Sequence, residues 1–138
     1  MFPYLANEKQ VNESILSEED RMVIILFGEN DDPEYMALNA IFENIYEKVK
    51  TCAVFHLVDS AVVSDCTMKY EFLEQNTLLF FYHDKRIVIN EVFTNDNNIK
   101  WPIVYDEEMI DLIEKIYNGA LEGRGLDVRH TYDSRYRY

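Results

Sequence analysis

Residues 22–28 read Met-Val-Ile-Ile-Leu-Phe-Gly, with no polar side chain among them. A strand with one wet face alternates apolar and polar positions, so a short unbroken apolar run belongs in a strand covered on both faces. Such a strand needs packed elements above and below it, which points to a layered α/β arrangement. Ala53 to Val58 (AVFHLV) forms a second run of this kind. Between the two, Asp32 followed by Pro33 marks a helix start, a capping carboxylate ahead of a proline at the first helical position. Met36, Ala40, Ile41, Ile45 and Val49 carry that helix forward at helical spacing. The strand–helix–strand unit therefore reads as a parallel pair joined by a right-handed crossover.

The remaining elements extend the alternation. Residues 8–16 read as a short helix with Val11 and Ile15 on one face, ended by the polar break Ser17-Glu18-Glu19-Asp20. Residues 64–73 read as a helix with Met68 and Phe72 together, and residues 77–82 (TLLFFY) as a third strand. His83-Asp84-Lys85 makes a turn, and residues 86–92 return as a fourth strand of a hairpin. After an Asn-rich loop, residues 106–121 give the clearest helix, with Met109, Ile110, Ile113, Ile116, Tyr117 and Ala120 in one stripe and Gly119 and Gly123 helping to end it. The order α-β-α-β-α-β-β-α predicts an α/β, thioredoxin-like fold: a mixed four-stranded sheet with helices on both faces. It divides the chain into a domain over residues 1–123 and an extended C-terminal tail over 124–138.

Charge limits the partners. The formal net charge is −13, carried unevenly. Residues 1–122 hold nine basic against 24 acidic side chains, net −15, whereas residues 123–138 hold four against two, net +2. A domain that grips a phosphate backbone by itself carries a basic face, so the expectation is weak direct RNA binding. Basic protein partners suit the body, and a separate docking role suits the tail. No apolar stretch approaches the roughly 20 residues of a membrane span. No signal peptide is expected from the first ten residues, and two cysteines make no secreted disulfide framework. The expected compartment is a reducing one, cytosol or nucleus.

Thioredoxin-like oxidoreductases carry Cys-x-x-Cys where the first long strand meets the next helix, because the helix N-terminus stabilises a thiolate. Here that stretch is Asn30-Asp31-Asp32-Pro33-Glu34-Tyr35-Met36, which has no cysteine and three carboxylates that disfavour a thiolate. Cys52 and Cys66 lie away from it and read as ordinary buried or half-buried thiols. The cis-proline that faces the active loop in redox enzymes is replaced by Asn76, where a cis bond costs roughly 3–4 kcal/mol. His56, His83 and His130 have no metal-ligand spacing, and Asp31, Asp32 and Glu34 lack a calcium-loop pattern and read as helix capping. No phosphate loop, nucleophile elbow or RNA-binding aromatic motif occurs. The expectation is a chain with no catalytic residues, no metal and no cofactor. The tail supplies the candidate partner-binding residues: Arg124, Tyr132, Arg135, Tyr136, Arg137 and Tyr138, of the two types most enriched at interface hot spots.

Several collinear stretches resemble a known family. They are Ile15-Leu16-Ser17-Glu18-Glu19-Asp20-Arg21, Phe27-Gly28, Asp32-Pro33, Glu47-Lys48-Val49-Lys50 and Leu57-Val58-Asp59. Further along come the Asn-rich loop into Trp101, Gly119-Ala120, Gly123-Arg124-Gly125-Leu126 and the terminal Tyr136-Arg137-Tyr138. Together they resemble the Dim or Dib family, the small thioredoxin-like protein of the spliceosomal tri-snRNP, from about Val11 to the last residue. The resemblance implies a nuclear, non-enzymatic component of the tri-snRNP ribonucleoprotein and the precatalytic spliceosome, required for pre-mRNA splicing as a protein–protein interaction module. It also implies placement beside the large scaffold protein, with snRNA and pre-mRNA nearby, and departure before activation. A monomer is expected in isolation, with no membrane association. The family's usual Trp before Asp-Pro and Cys two residues after it are Asp31 and Tyr35 here, and the Pro and Cys before the third strand are Gln75 and Asn76. The competing readings are a cytosolic thioredoxin-fold redox or chaperone-like protein, which needs a reactive cysteine in the loop, and a direct RNA-binding module, which the net charge opposes.

Overall fold

A computed structural model describes residues 2–59, 77–87, 105–123 and 126–131, the last of these by backbone alone. The elements are α1 (Glu8–Ser17), β1 (Met22–Gly28), α2 (Pro33–Val49), β2 (Ala53–Asp59), β3 (Thr77–Tyr82), β4 (Lys85–Ile87), α3 (Asp106–Leu121) and β5 (Leu126–Thr131). The helix expected over 64–73, most of the fourth strand and Asn76 fall outside the described residues.

The apolar run of β1 does what its composition requires. Every residue of it is buried, and it lies between β2, with which it pairs in parallel, and β3, with which it pairs antiparallel. Its side chains alternate between two cores. Met22, Ile24 and Leu26 join Ala53, Phe55, Leu57, Phe80 and the inner faces of α2 and α3. Val23, Ile25 and Phe27 join Val58, Leu79, Phe81 and α1's Val11 and Ile15. Helices thus cover both faces, with Phe42 stacked on Phe55 at a centroid separation of 4.7 Å in the larger core.

The sheet has five strands in the order β2-β1-β3-β4-β5. The four expected strands hold their places. The addition is β5, which comes from inside the segment read as an extended tail and pairs antiparallel with β4 through an irregular register. Only six residues of that segment are strand. They were not expected as one because a short edge strand beside a polar tail shows little apolar alternation. The β3–β4 turn is tight: His83 and Asp84 both have positive φ, 50° and 61°, the left-handed pair that a two-residue hairpin needs.

Two helix readings are corrected. On α2 the buried set is Tyr35, Leu38, Ile41, Phe42, Ile45 and Val49, while Met36 and Ala40 face solvent. On α3, Gly119 lies inside the helix against the core. Gly123 ends the helix, at φ +81° with its N–H donating to the Ala120 carbonyl at 2.9 Å.

Beyond β2, the first residues run alongside it. Tyr4 bridges Leu57 in parallel, the Leu5 N–H donates to the Leu57 carbonyl at 2.9 Å, and the Leu57 N–H donates to the Pro3 carbonyl at 3.0 Å. Asn7 then caps α1, its Oδ1 accepting from the Gln10 N–H at 2.9 Å.

Candidate functional site

The place where a thioredoxin-like fold carries its chemistry is the junction of β1 and α2. Asp32 shapes it. Its carboxylate accepts from the N–H groups of Glu34 at 2.8 Å and Tyr35 at 3.3 Å, satisfying donors that a helix start leaves free. Pro33 follows in the first turn, with φ preset for a helix. The Asp32 N–H donates back to the Glu29 carbonyl at 3.0 Å, closing the loop. The sequence reading of Asp32 as a cap is the geometry found. Among the described residues, no group of three His, Cys, Asp or Glu side chains is arranged to hold a metal ion.

Tyr35 fills the space beneath the loop. Its side chain is 1% exposed, and its hydroxyl donates to the Val58 carbonyl at 3.3 Å. Burial first, then the neighbouring Tyr4 hydroxyl and the Asp59 carboxylate, push the phenol far above the ordinary tyrosine range. Tyr35 is therefore a neutral, space-filling donor at any physiological pH. Tyr4, from the segment beside β2, donates its hydroxyl to Asn30 Oδ1 across the same loop. Around this plug Glu29, Asn30, Asp31 and Glu34 are exposed, an acidic mouth with no nucleophile. Sequence reasoning named Tyr35 as a departure from the family pattern but missed its burial. The signal was available in the helical spacing of Tyr35, Leu38, Phe42 and Ile45. Tyr4 was missed altogether, because its partners are 26 and 53 residues away, at Asn30 and Leu57.

Cys52 stands at the far end of β2 from Val58, about 20 Å along the strand. Its side chain is buried, and Sγ lies 3.3 Å from the Val49 carbonyl. Burial, then the charge of Glu114, push its thiol up, so the reactive thiolate is suppressed. His56 has a lowered pKa because it is buried, an effect that Glu18 opposes. Its Nδ1 has no hydrogen-bond partner. His83 stacks on Tyr82 with ring centroids 4.1 Å apart, in a turn at the other end of β1 from the loop. The structure therefore brings none of these groups to the β1–α2 junction. Arg124, Tyr132, Arg135, Tyr136, Arg137 and Tyr138 lie outside the described residues, as do Cys66 and Gln75.

Comparison with known proteins agrees with this geometry. The family model described as "Mitosis protein DIM1" matches residues 1–133. The mitosis protein dim1 of Schizosaccharomyces pombe is 39% identical over 137 residues, 99% of this chain and 96% of that protein. The spliceosomal protein DIB1 of Saccharomyces cerevisiae is 33% identical over 137 residues, 99% of this chain and 95% of that one. Among solved structures, a thioredoxin of Fasciola hepatica superposes with a TM-score of 0.63 over 83% of this chain and 98% of its own, at 13% identity. That likeness establishes the thioredoxin fold.

Proposed function

This chain belongs to the family of the mitosis protein DIM1, and from that premise we propose that it is a non-enzymatic component of the spliceosomal tri-snRNP and precatalytic spliceosome. In this reading it works in the nucleus as a protein–protein interaction module required for pre-mRNA splicing. The observation that carries the reading is Tyr35. Where a redox thioredoxin needs an accessible thiol, this chain has a buried aromatic ring held by Val58 and roofed by the Asp32 cap. The scaffold is kept and its chemistry is filled in, which leaves the surface as the working part. A relative of nearly the same length named as a spliceosomal protein gives that surface its context.

The charge supports protein partners over bare RNA. A −15 body repels phosphates, so contact with snRNA and pre-mRNA inside the particle depends on cations supplied by neighbouring proteins. The tail residues Arg124, Tyr132, Arg135, Tyr136, Arg137 and Tyr138 serve as anchors to the large scaffold protein. Affinity purification of the tagged chain from its source cells, followed by identification of co-purifying RNAs and proteins, tests the proposal. Recovery of the tri-snRNP small nuclear RNAs with a large scaffold protein is expected. Recovery of thiol–disulfide substrates instead, with no small nuclear RNA, refutes it.

A further inference from the structure

The outer edge of β2 is only partly closed. The Met22 N–H donates to the Cys52 carbonyl at 2.8 Å, which sets the phase of β2: residues 52, 54, 56 and 58 turn their backbone groups toward β1. Residues 53, 55 and 57 therefore turn theirs outward. At Leu57 both outward groups are used, by Leu5 and by Pro3. The next rung of that parallel ladder needs an N–H from residue 3 to the Phe55 carbonyl, and proline has none. Among the described residues, the outward carbonyls of Ala53 and Phe55 have no backbone donor.

A groove of about 340 Å³ opens beside this gap, lined by Phe2, Pro3, Glu43, Tyr46, Val54 and Phe55. Phe2, Tyr46 and Phe55 form its aromatic wall, with Tyr46 edge-on to the other two rings at 5.7 and 6.5 Å. Tyr46 is half-buried and Glu43 is exposed one helical turn before it. Glu47, the next carboxylate on α2, is engaged by Lys50 at 2.8 Å, whereas Glu43 has no ion pair among the described residues.

Resting on the reading of the chain as an interaction module, we infer that this edge and groove together receive an extended, arginine-bearing segment of a protein partner. The segment adds as a short strand outside β2 and donates its amides to the open carbonyls. One arginine enters the groove, where its guanidinium stacks against Tyr46 and its fork meets the Glu43 carboxylate. A net charge of −15 on the body draws such a segment in.

The test uses the full-length protein and three synthetic probes: a short peptide of alternating Val and Arg, the same peptide N-methylated at alternate amides, and one of alternating Val and Glu. Binding is read by fluorescence anisotropy and mapped by amide shifts in NMR spectra. The Val/Arg peptide is expected to shift residues 43–46 and 53–55, to lose about tenfold or more in affinity against Glu43→Arg, and to fail when N-methylated. The Val/Glu peptide is expected not to bind. Glu43 is exposed, so circular dichroism of the variant should be unchanged. Failure of the Val/Arg peptide to bind, equal binding after Glu43→Arg or N-methylation, or shifts elsewhere on the acidic surface would each overturn the inference. Failure here with small nuclear RNAs still co-purifying leaves the splicing role standing. Peptide binding at this edge without such co-purification removes the splicing role and keeps the site.

Discussion

Replacing Tyr35 by Phe isolates one hydroxyl in the plug of the redox position. The ring stays, so the core of α2 against β2 is unchanged. What is lost is a donor to the Val58 carbonyl at 3.3 Å, long for an O–H···O bond and worth about 0.5–1 kcal/mol at neutral pH. The pH dependence tells more. The folded pKa of Tyr35 lies above its model value of 10.0. The stability tied to its neutral form is therefore complete below pH 10 and is lost as pH rises beyond it, because the unfolded chain ionises and the folded one does not. The loss approaches about 1.4 kcal/mol per pH unit. Phe cannot ionise, and every other titrating group is common to both proteins. Tyr35→Phe should therefore be slightly less stable than the parent at pH 7 and match or exceed it by about pH 11. Urea unfolding followed by far-ultraviolet circular dichroism at both pH values gives the comparison. Parallel stability profiles from pH 9 to 11 would show that the hydroxyl titrates freely in the folded protein and that the plug is not sealed. Tyr35→Ala serves as the contrast: deleting the buried ring should cost about 3–5 kcal/mol at every pH.

Asp32→Ala removes the cap of α2 and should cost about 1 kcal/mol, seen in urea denaturation as a lower midpoint with unchanged slope. Cys52 should resist alkylation by iodoacetamide in the native protein at pH 8 and react on unfolding, as followed by peptide mass spectrometry; rapid native labelling would contradict its burial. Truncation after Thr131 keeps β5 and should leave the melting temperature within about 3 °C while weakening incorporation into the tri-snRNP. Truncation after Gly125 strips β4 of its partner and should lower the melting temperature further by calorimetry.

The parts of the fold legible in the sequence are those governed by local pattern. The run 22–28 is β1 to the residue, residues 77–82 are β3, and the Asp32-Pro33 start of α2 is a cap formed by neighbours in sequence. The pairing of Tyr4 with Leu57 was not legible, because nothing in the hexapeptide before Asn7 encodes the edge it lies against. β5 was hidden for the same reason: its strand character comes from the open side of β4, not from its own composition. At the site, the absence of a thiol was plain from the residue types. The burial of Tyr35 was masked because the apolar stripe of α2 was phased on Met36 and Ala40, one position away from the residues that face the sheet.

The central place of β1 also has a consequence for synthesis on the ribosome. Once Asp59 has emerged, β1 can pair with β2, and the first residues can close part of β2's outer side. The other flank of β1 belongs to β3, whose last residue, Tyr82, is made 23 residues later. At about 5–20 residues per second, this leaves roughly 1–5 s in which a wholly apolar strand presents a bare edge in the nascent chain. That interval is when the chain is most exposed to wrong pairing and has most need of a chaperone's shelter.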